Sequence, residues 1–258
     1  MKNGKRTLRR SVKVTGVMML ASIVLIIVGA RQVMPTKVSE SKKENQIFSG
    51  EDKKIKGNKL QEEARTIYEK NKELMVLVNR MNEMPELYKH QLTDICEGRL
   101  EADSRMVQDL RSMLASADEK GYSYFIASAY RSRERQEYLV KKNISDLMAQ
   151  GMDERKAKIE TYKYQQQPGH SEHETGLALD ILCSDNLTME NWAQSKLDGN
   201  KWLRKNAYKY GFVLRYPKKK EDITLIKYES WHFRYVGKEA AKFMTENNLT
   251  LEEFYDIL

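Results

Sequence analysis

The sequence predicts an α+β domain: a small central antiparallel sheet with helices packed around it, preceded by an N-terminal transmembrane helix and a linker. Three observations predict it. Short β-rich runs at 122–129, 177–182, 212–216 and 228–235 would supply a small sheet. Segments of helical spacing lie between them, so strands and helices are mixed along the chain. One uncharged run, Val14 to Ala30, directly follows a basic block.

That block holds Lys2, Lys5, Arg6, Arg9, Arg10 and Lys13, and no acid occurs before Glu40. It accounts for most of the net charge of +8. The basicity therefore belongs to a tail and not to a groove for phosphates, and no nucleic-acid partner is expected. The 17 residues from Val14 to Ala30 are at the short end for a membrane span. Six positive charges before them and Arg31 after them favour a cytoplasmic N-terminus, with the rest of the chain outside the cell membrane. A cleaved signal peptide ending at Val28-Gly29-Ala30 is the rival reading. Both readings export the remainder.

Residues 1–13 thus read as a cytoplasmic tail, 14–30 as an anchor or signal segment, 31–69 as linker and stalk, and 70–258 as the functional domain. Residues 31 to about 58 are polar, with few and aperiodic apolar positions. From 59 to 74 a short charged helix is expected, with Leu60, Ala64, Ile67 and Leu74 as a thin stripe.

Leu74, Val76 and Val78 alternate with Met75 and Leu77, which suits a first strand or an extended entry. Pro85 follows. Val107, Leu110, Leu114 and Ala117 have helical spacing, and Gly121 stops that helix. Tyr122 to Ala129 is β-rich and leads to Arg131. Arg133 to Ala149 reads as a helix, and Gly151 to Gln167 as a second, polar one. Met189 to Tyr210 is expected to be helical, with Trp192, Leu197, Trp202 and Leu203 in the core. Phe212 to Tyr216 is a strand, Lys238 to Asn247 a closing helix, and Thr250-Leu251-Glu252-Glu253 a capping box that starts a last short helix.

Two cysteines, Cys96 and Cys183, would enter an oxidising or neutral exterior, where they could pair or stay free and buried. Four histidines occur, at 90, 170, 173 and 232. His170 has no partner at metal-ligand spacing and reads as a loop histidine or a group that supports a ligand, and His90, after Tyr88 in a polar loop, reads as structural or exposed.

The chemistry concentrates in Ser171-Glu172-His173-Glu174-Thr175-Gly176-Leu177-Ala178-Leu179-Asp180. After Gly176 the alternation sends Leu177, Leu179 and Ile181 one way and Asp180 the other. An ionised carboxylate mid-strand costs free energy unless something compensates it, and a metal ion is the usual compensation. His173, on the loop before Gly176, can reach the same strand. His232 would supply a third ligand and leave one position open, as in catalytic zinc sites. Glu229 precedes His232 by three, close enough to act on a water held by the metal. A regular strand would send the two to opposite faces, so a strand start or a bulge must bring them together.

Ser-x-His-x-x-Gly-x-Ala-x-Asp followed by Glu-x-Trp-His resembles the zinc D,D-carboxypeptidases of the VanY type, which trim peptidoglycan stem peptides. The resemblance extends to Ser128-Ala129-Tyr130-Arg131-Ser132 and Gln136. It also takes in Leu77-Val78-Asn79 with Pro85 and Tyr88, and Tyr210-Gly211-Phe212-Val213-Leu214-Arg215-Tyr216-Pro217. It covers roughly residues 70 to 258 in the family's order.

The resemblance implies one Zn²⁺ on His173, Asp180 and His232, with Glu229 as general base. It implies that Arg131 stabilises the oxyanion, a role suited to a permanently charged fork of donors. It implies that Ser171 binds the substrate's terminal carboxylate, where spacing alone would also allow a turn cap. For Gln136 it implies a substrate contact, against the plainer reading of a solvated amide. A stem peptide ending in D-Ala-D-Ala is the expected substrate. An L,D-carboxypeptidase, a stem endopeptidase and a non-catalytic zinc-stabilised wall-binding module stay open.

Overall fold

A computed structural model describes the backbone of residues 50–258 and the side chains from residue 57. The basic tail, the segment 14–30 and the tether up to residue 49 lie outside the described residues. No described helix is long and apolar enough to cross a membrane.

Nine α-helices and six strands are present among the described residues. Four strands form the central sheet: β3 (Tyr124–Ser128), β4 (Ala178–Cys183), β5 (Phe212–Leu214) and β6 (His232–Tyr235). Their order is β3-β4-β6-β5, and every pair is antiparallel. The α+β expectation holds.

The period of two decides what each face of the sheet carries. Leu177, Leu179 and Ile181 join Phe212, Phe233 and Tyr235 on an apolar face. That face packs on Met106, Leu110 and Met113 of α2 (Ser104–Asp118) and on Leu203 of α6 (Asp198–Asn206). Asp180 and His232 lie opposite each other in the β4–β6 register, so both point away from this core.

β1 (Leu92–Asp94) and β2 (Glu101–Asp103) make a separate hairpin that sequence patterning did not anticipate. At three residues each they are too short to show a period. The entry at 74–79 starts from a turn at Leu74 and joins no ladder. It makes only an isolated bridge between Asn79 and Asn82.

The stalk reading of 59–69 needs correction. Helix α1 (Gly50–Asn71) buries Ala64 and Ile67 against α8 (Lys238–Glu246) and α9 (Leu251–Asp256). Arg65 also donates to the carbonyl of Leu258 at 2.7 Å. A thin stripe suffices because α1 lies on a ready apolar surface that includes Met244, Leu251 and Phe254.

The single helix expected over 189–210 is three pieces: α5 (Asn191–Gln194), α6, and a 3-10 turn at Ala207–Tyr210. Side chains that bond to distant backbone explain the breaks. Gln194, fully buried, accepts from the amide of Cys183 at 3.1 Å and donates to the carbonyl of Thr188 at 3.1 Å. Asn191 accepts from the amide of Ser230 at 2.8 Å. Trp192, expected in the core, is 67% exposed as a result. The helix expected over 151–167 shrinks to α4 (Glu154–Thr161), capped by Asp153. Helix α3 (Arg133–Ala149) has the expected bounds, with Ser132 accepting from the amide of Arg135 as its cap. At α9 the capping box of Thr250 and Glu253 is complete.

Candidate metal centre and active site

His173 stands on a 3-10 turn, Glu172–Thr175, that ends at Gly176 with φ of 78°. A side chain at Gly176 would be strained by that φ, and its Cβ would meet Leu92 at 2.8 Å and the amide of Asp103 at 3.3 Å. The tight turn lets His173 reach back over β4. Its Nδ1 lies 2.8 Å from the carbonyl oxygen of Ala129, which fixes Nδ1 as the protonated donor. Nε2 is then unprotonated and faces Asp180 Oδ2 at 3.3 Å.

His232 begins β6 and uses its other nitrogen. Its Nδ1 is 3.1 Å from Asp180 Oδ1 and 3.9 Å from Glu229 Oε2. The two imidazoles meet edge to face, with centroids 4.9 Å apart. One potential ligand atom from each of His173, Asp180 and His232 lies within 4.8 Å of the other two. All three side chains are buried. Two nitrogens and a carboxylate oxygen gathered this closely fit a divalent ion of the zinc type.

Glu229 precedes β6, so strand alternation does not apply to it. Its amide donates to the carbonyl of Tyr216 at 3.1 Å, while the carbonyl of Trp231 already accepts from β4 at Ile181. The strand start therefore brings Glu229 to the same side as His232. Arg131 follows the end of β3, where a register shift between Ile126 and Ser128 bends the strand. Its guanidinium donates to Ser128 Oγ at 2.7 Å and to Gln136 Oε1 at 2.8 Å, and stands 3.7 Å from Asp180 Oδ2.

Gln136 is buried, which corrects the solvated-amide alternative. Its oxygen holds Arg131 and its nitrogen donates to the carbonyl of Gln166 at 2.7 Å. Ser171 makes no side-chain cap of the 3-10 turn, and it lines the cleft instead. That cleft, of about 180 Å³, is also lined by Arg131, Gln136, Tyr216, Glu229 and Trp231. Each residue expected at the site is therefore at one cleft.

The remaining candidates lie elsewhere. His170 bonds the carbonyl of Asn79 through Nδ1 at 2.8 Å, and His90 bonds that of Glu174 through Nε2 at 2.6 Å. Cys96 and Cys183 are both free. Burial pushes the Cys183 thiol up to about 11, so it is an inert apolar filler beside Gly199.

Sequence reasoning missed Glu172. Its carboxylate is fully buried and accepts from Arg215 Nε at 2.7 Å and Arg234 at 2.9 Å. Burial opposes its charge, but the two arginines outweigh that and hold its pKa well below the usual carboxylate range. The signal was an arginine at a mid-strand position, Arg234 among the aromatics of β6.

The electrostatics of the cluster follow from burial and close pairing. Burial pushes the Glu229 carboxyl up to about 8. Burial opposes charge on His232 too, but the carboxylates of Asp180 and Glu172 prevail and push it up to about 9. Burial, then Arg131, lowers His173.

A linkage prediction follows for the metal-free protein. Glu229 rises from an ordinary value near 4.5 to about 8 on folding. The folded chain then keeps a proton that the unfolded chain has released. Stability from this group is complete below pH ~4.5 and is lost as pH climbs to ~8. Melting of the metal-free protein across that window should decline less steeply for Glu229→Gln than for the wild type. Equal slopes would show that Glu229 does not titrate in a buried site.

The sequence profile of the VanY family, described as D-alanyl-D-alanine carboxypeptidase, matches residues 99–238. The chain belongs to the VanY family. YodJ of Bacillus subtilis (strain 168) is 48% identical over 147 residues, covering 57% of this chain and 50% of that relative. The chain spans about half to two thirds of the length of the curated relatives it matches. Two solved structures share the fold. One is a mutant of the vancomycin-resistance D,D-pentapeptidase VanY from a VanB-type cassette, in complex with Zn(II). Its TM-score is 0.64 at 33% identity, covering 71% of this chain and 99% of that one. The other is the LD-carboxypeptidase LdcB, with a TM-score of 0.61 at 36% identity, covering 70% of this chain and 85% of that one. Within the VanY family fold, the matched profile contains all three candidate metal ligands, as well as Arg131 and Glu229.

Proposed function

We propose that this chain is a zinc-dependent D,D-carboxypeptidase that removes the terminal D-alanine from peptidoglycan stem peptides ending in D-Ala-D-Ala. The observation that carries the reading is the convergence of His173, Asp180 and His232 within 4.8 Å, with Glu229 and Arg131 on the same cleft. A bound Zn²⁺ would supply Lewis acidity, polarising the scissile carbonyl and making water a nucleophile near neutral pH.

The chain's own groups do the rest. Glu229 takes a proton from the water as its oxygen bonds to the carbonyl carbon. Arg131, braced by Ser128 and Gln136, presents fixed donors to the oxygen on which negative charge develops. Glu229 then passes the proton to the leaving nitrogen as the C–N bond breaks, giving a tetrapeptide and D-alanine. Ser171 at the cleft wall suits the free carboxylate that an exopeptidase must recognise. Gln136 has a second N–H beyond the one given to Gln166, and it can reach the substrate from the same wall. We further place this domain outside the cell membrane, held by the segment 14–30, because the basic block precedes that segment.

The likeness to LdcB supports a second reading, an L,D-carboxypeptidase that acts on tetrapeptides. Incubation with pentapeptide and tetrapeptide stems, followed by mass spectrometry, separates the two. Loss of one alanine from the pentapeptide alone is the expected result. Cleavage of the tetrapeptide alone would replace the first reading by the second.

A further inference from the structure

Glu172 does more than neutralise two arginines. Its two oxygens have different surroundings. Oε1 accepts from both Arg215 and Arg234. Oε2 has no hydrogen-bond partner, although the side chain is fully buried. The nitrogen it faces, His232 Nε2 at 3.6 Å, is also buried and also without a partner. Unpaired buried polar atoms are costly, and two of them facing each other just beyond bonding distance make one incomplete pair.

The ring chemistry says when the pair closes. His232 presents Nδ1 to Asp180 and to the site shared with His173. A histidine that ligates through Nδ1 must carry its proton on Nε2, and a carboxylate facing that proton fixes both tautomer and ring orientation. We infer that Glu172 is a positioning residue for the metal centre, accepting the Nε2 proton of His232 and so holding Nδ1 as the ligating nitrogen.

The arginines explain why a carboxylate can sit there. Arg215 and Arg234 are both buried, and each has further anchors. Arg234 also donates to the carbonyls of Leu74 and Val76 at 2.8 and 2.9 Å. Arg215 also holds Glu252 of α9 through two bonds of 2.8 and 2.6 Å. Glu172 is thus clamped by its Oε1 edge, through arginines anchored on the segment 74–76 and on α9, and its Oε2 edge is left for His232. This inference rests on the proposed metal site, not on the choice of substrate.

The test uses the full chain with histidines labelled in nitrogen. In the zinc-loaded wild type, His232 should show a slowly exchanging, downfield Nε2 proton. With cadmium in place of zinc, coupling to the metal should appear at Nδ1. In Glu172→Gln, the amide oxygen stays with the arginines and an N–H faces Nε2, which favours the opposite tautomer. Zinc affinity, measured by competition with a chromophoric chelator, should fall about 10- to 100-fold. A merely structural role would lower the melting temperature and leave the tautomer unchanged. Metal coupling at Nε2 of His232, or wild-type zinc affinity in Glu172→Gln, would overturn the inference and leave the metal site standing. No zinc on the wild type would overturn both. The wild-type spectrum decides the matter even where the variant does not fold.

Discussion

Replacing Glu229 with alanine will leave the protein able to hold zinc and will cut peptide hydrolysis by about 10²- to 10⁴-fold, the usual worth of a positioned general base. The two halves of this result come from different contacts. Glu229 is not one of the three side chains whose donor atoms converge, and it stands 3.9 Å from His232 Nδ1. No other described carboxylate outside the ligand set borders the cleft, so none stands ready to take over the proton. The Glu229→Ala side chain also removes a buried acid whose charged form the site disfavours, so the metal-free variant should fold without penalty from that charge. The measurements are metal content by atomic absorption and D-alanine release from a pentapeptide. Full turnover in the variant would take Glu229 out of the reaction.

Removing the metal should have the larger effect. Treatment with a strong chelator is expected to bring hydrolysis to background, and added zinc to restore it. Asp180→Ala should do the same from the protein side. Asp180 is buried and close to both imidazoles, at 3.1 and 3.3 Å, so its loss removes a charge as well as a ligand. The variant would leave His173 and His232 facing each other with Arg131 nearby, a cluster with excess positive character. A β-lactam should not inhibit the wild type, since the proposed reaction uses water as the nucleophile and forms no serine acyl-enzyme. Activity that persists in chelator, or penicillin sensitivity, would contradict the mechanism as a whole.

Much of this site was legible in one dimension. A charge at an alternating apolar position, Asp180, signals something that compensates it. A histidine before a glycine turn and a second in an aromatic strand give that signal partners. Helix α3 was legible as the run Arg133–Ala149, and α9 because Thr250 and Glu253 satisfy each other's termini. What failed to show was long-range. Glu172 depends on arginines 43 and 62 positions away, which no local window connects. Trp192 faces solvent because Gln194 bonds to the backbone of β4, and a periodicity argument has no view of such a bond. The stripe on α1 looked too thin to bury, because the surface that receives it comes from the far end of the chain.

The direct pairing of Asp180 with His232 bears on how the molecule assembles. The two are 52 residues apart in the chain and meet only when β4 and β6 align. Sliding β6 by a single position would bring Phe233 opposite Asp180 and aim the imidazole into the greasy interior. A misaligned sheet would therefore have no place for the ion, and zinc uptake would act as a proofreading step that rewards only the correct alignment.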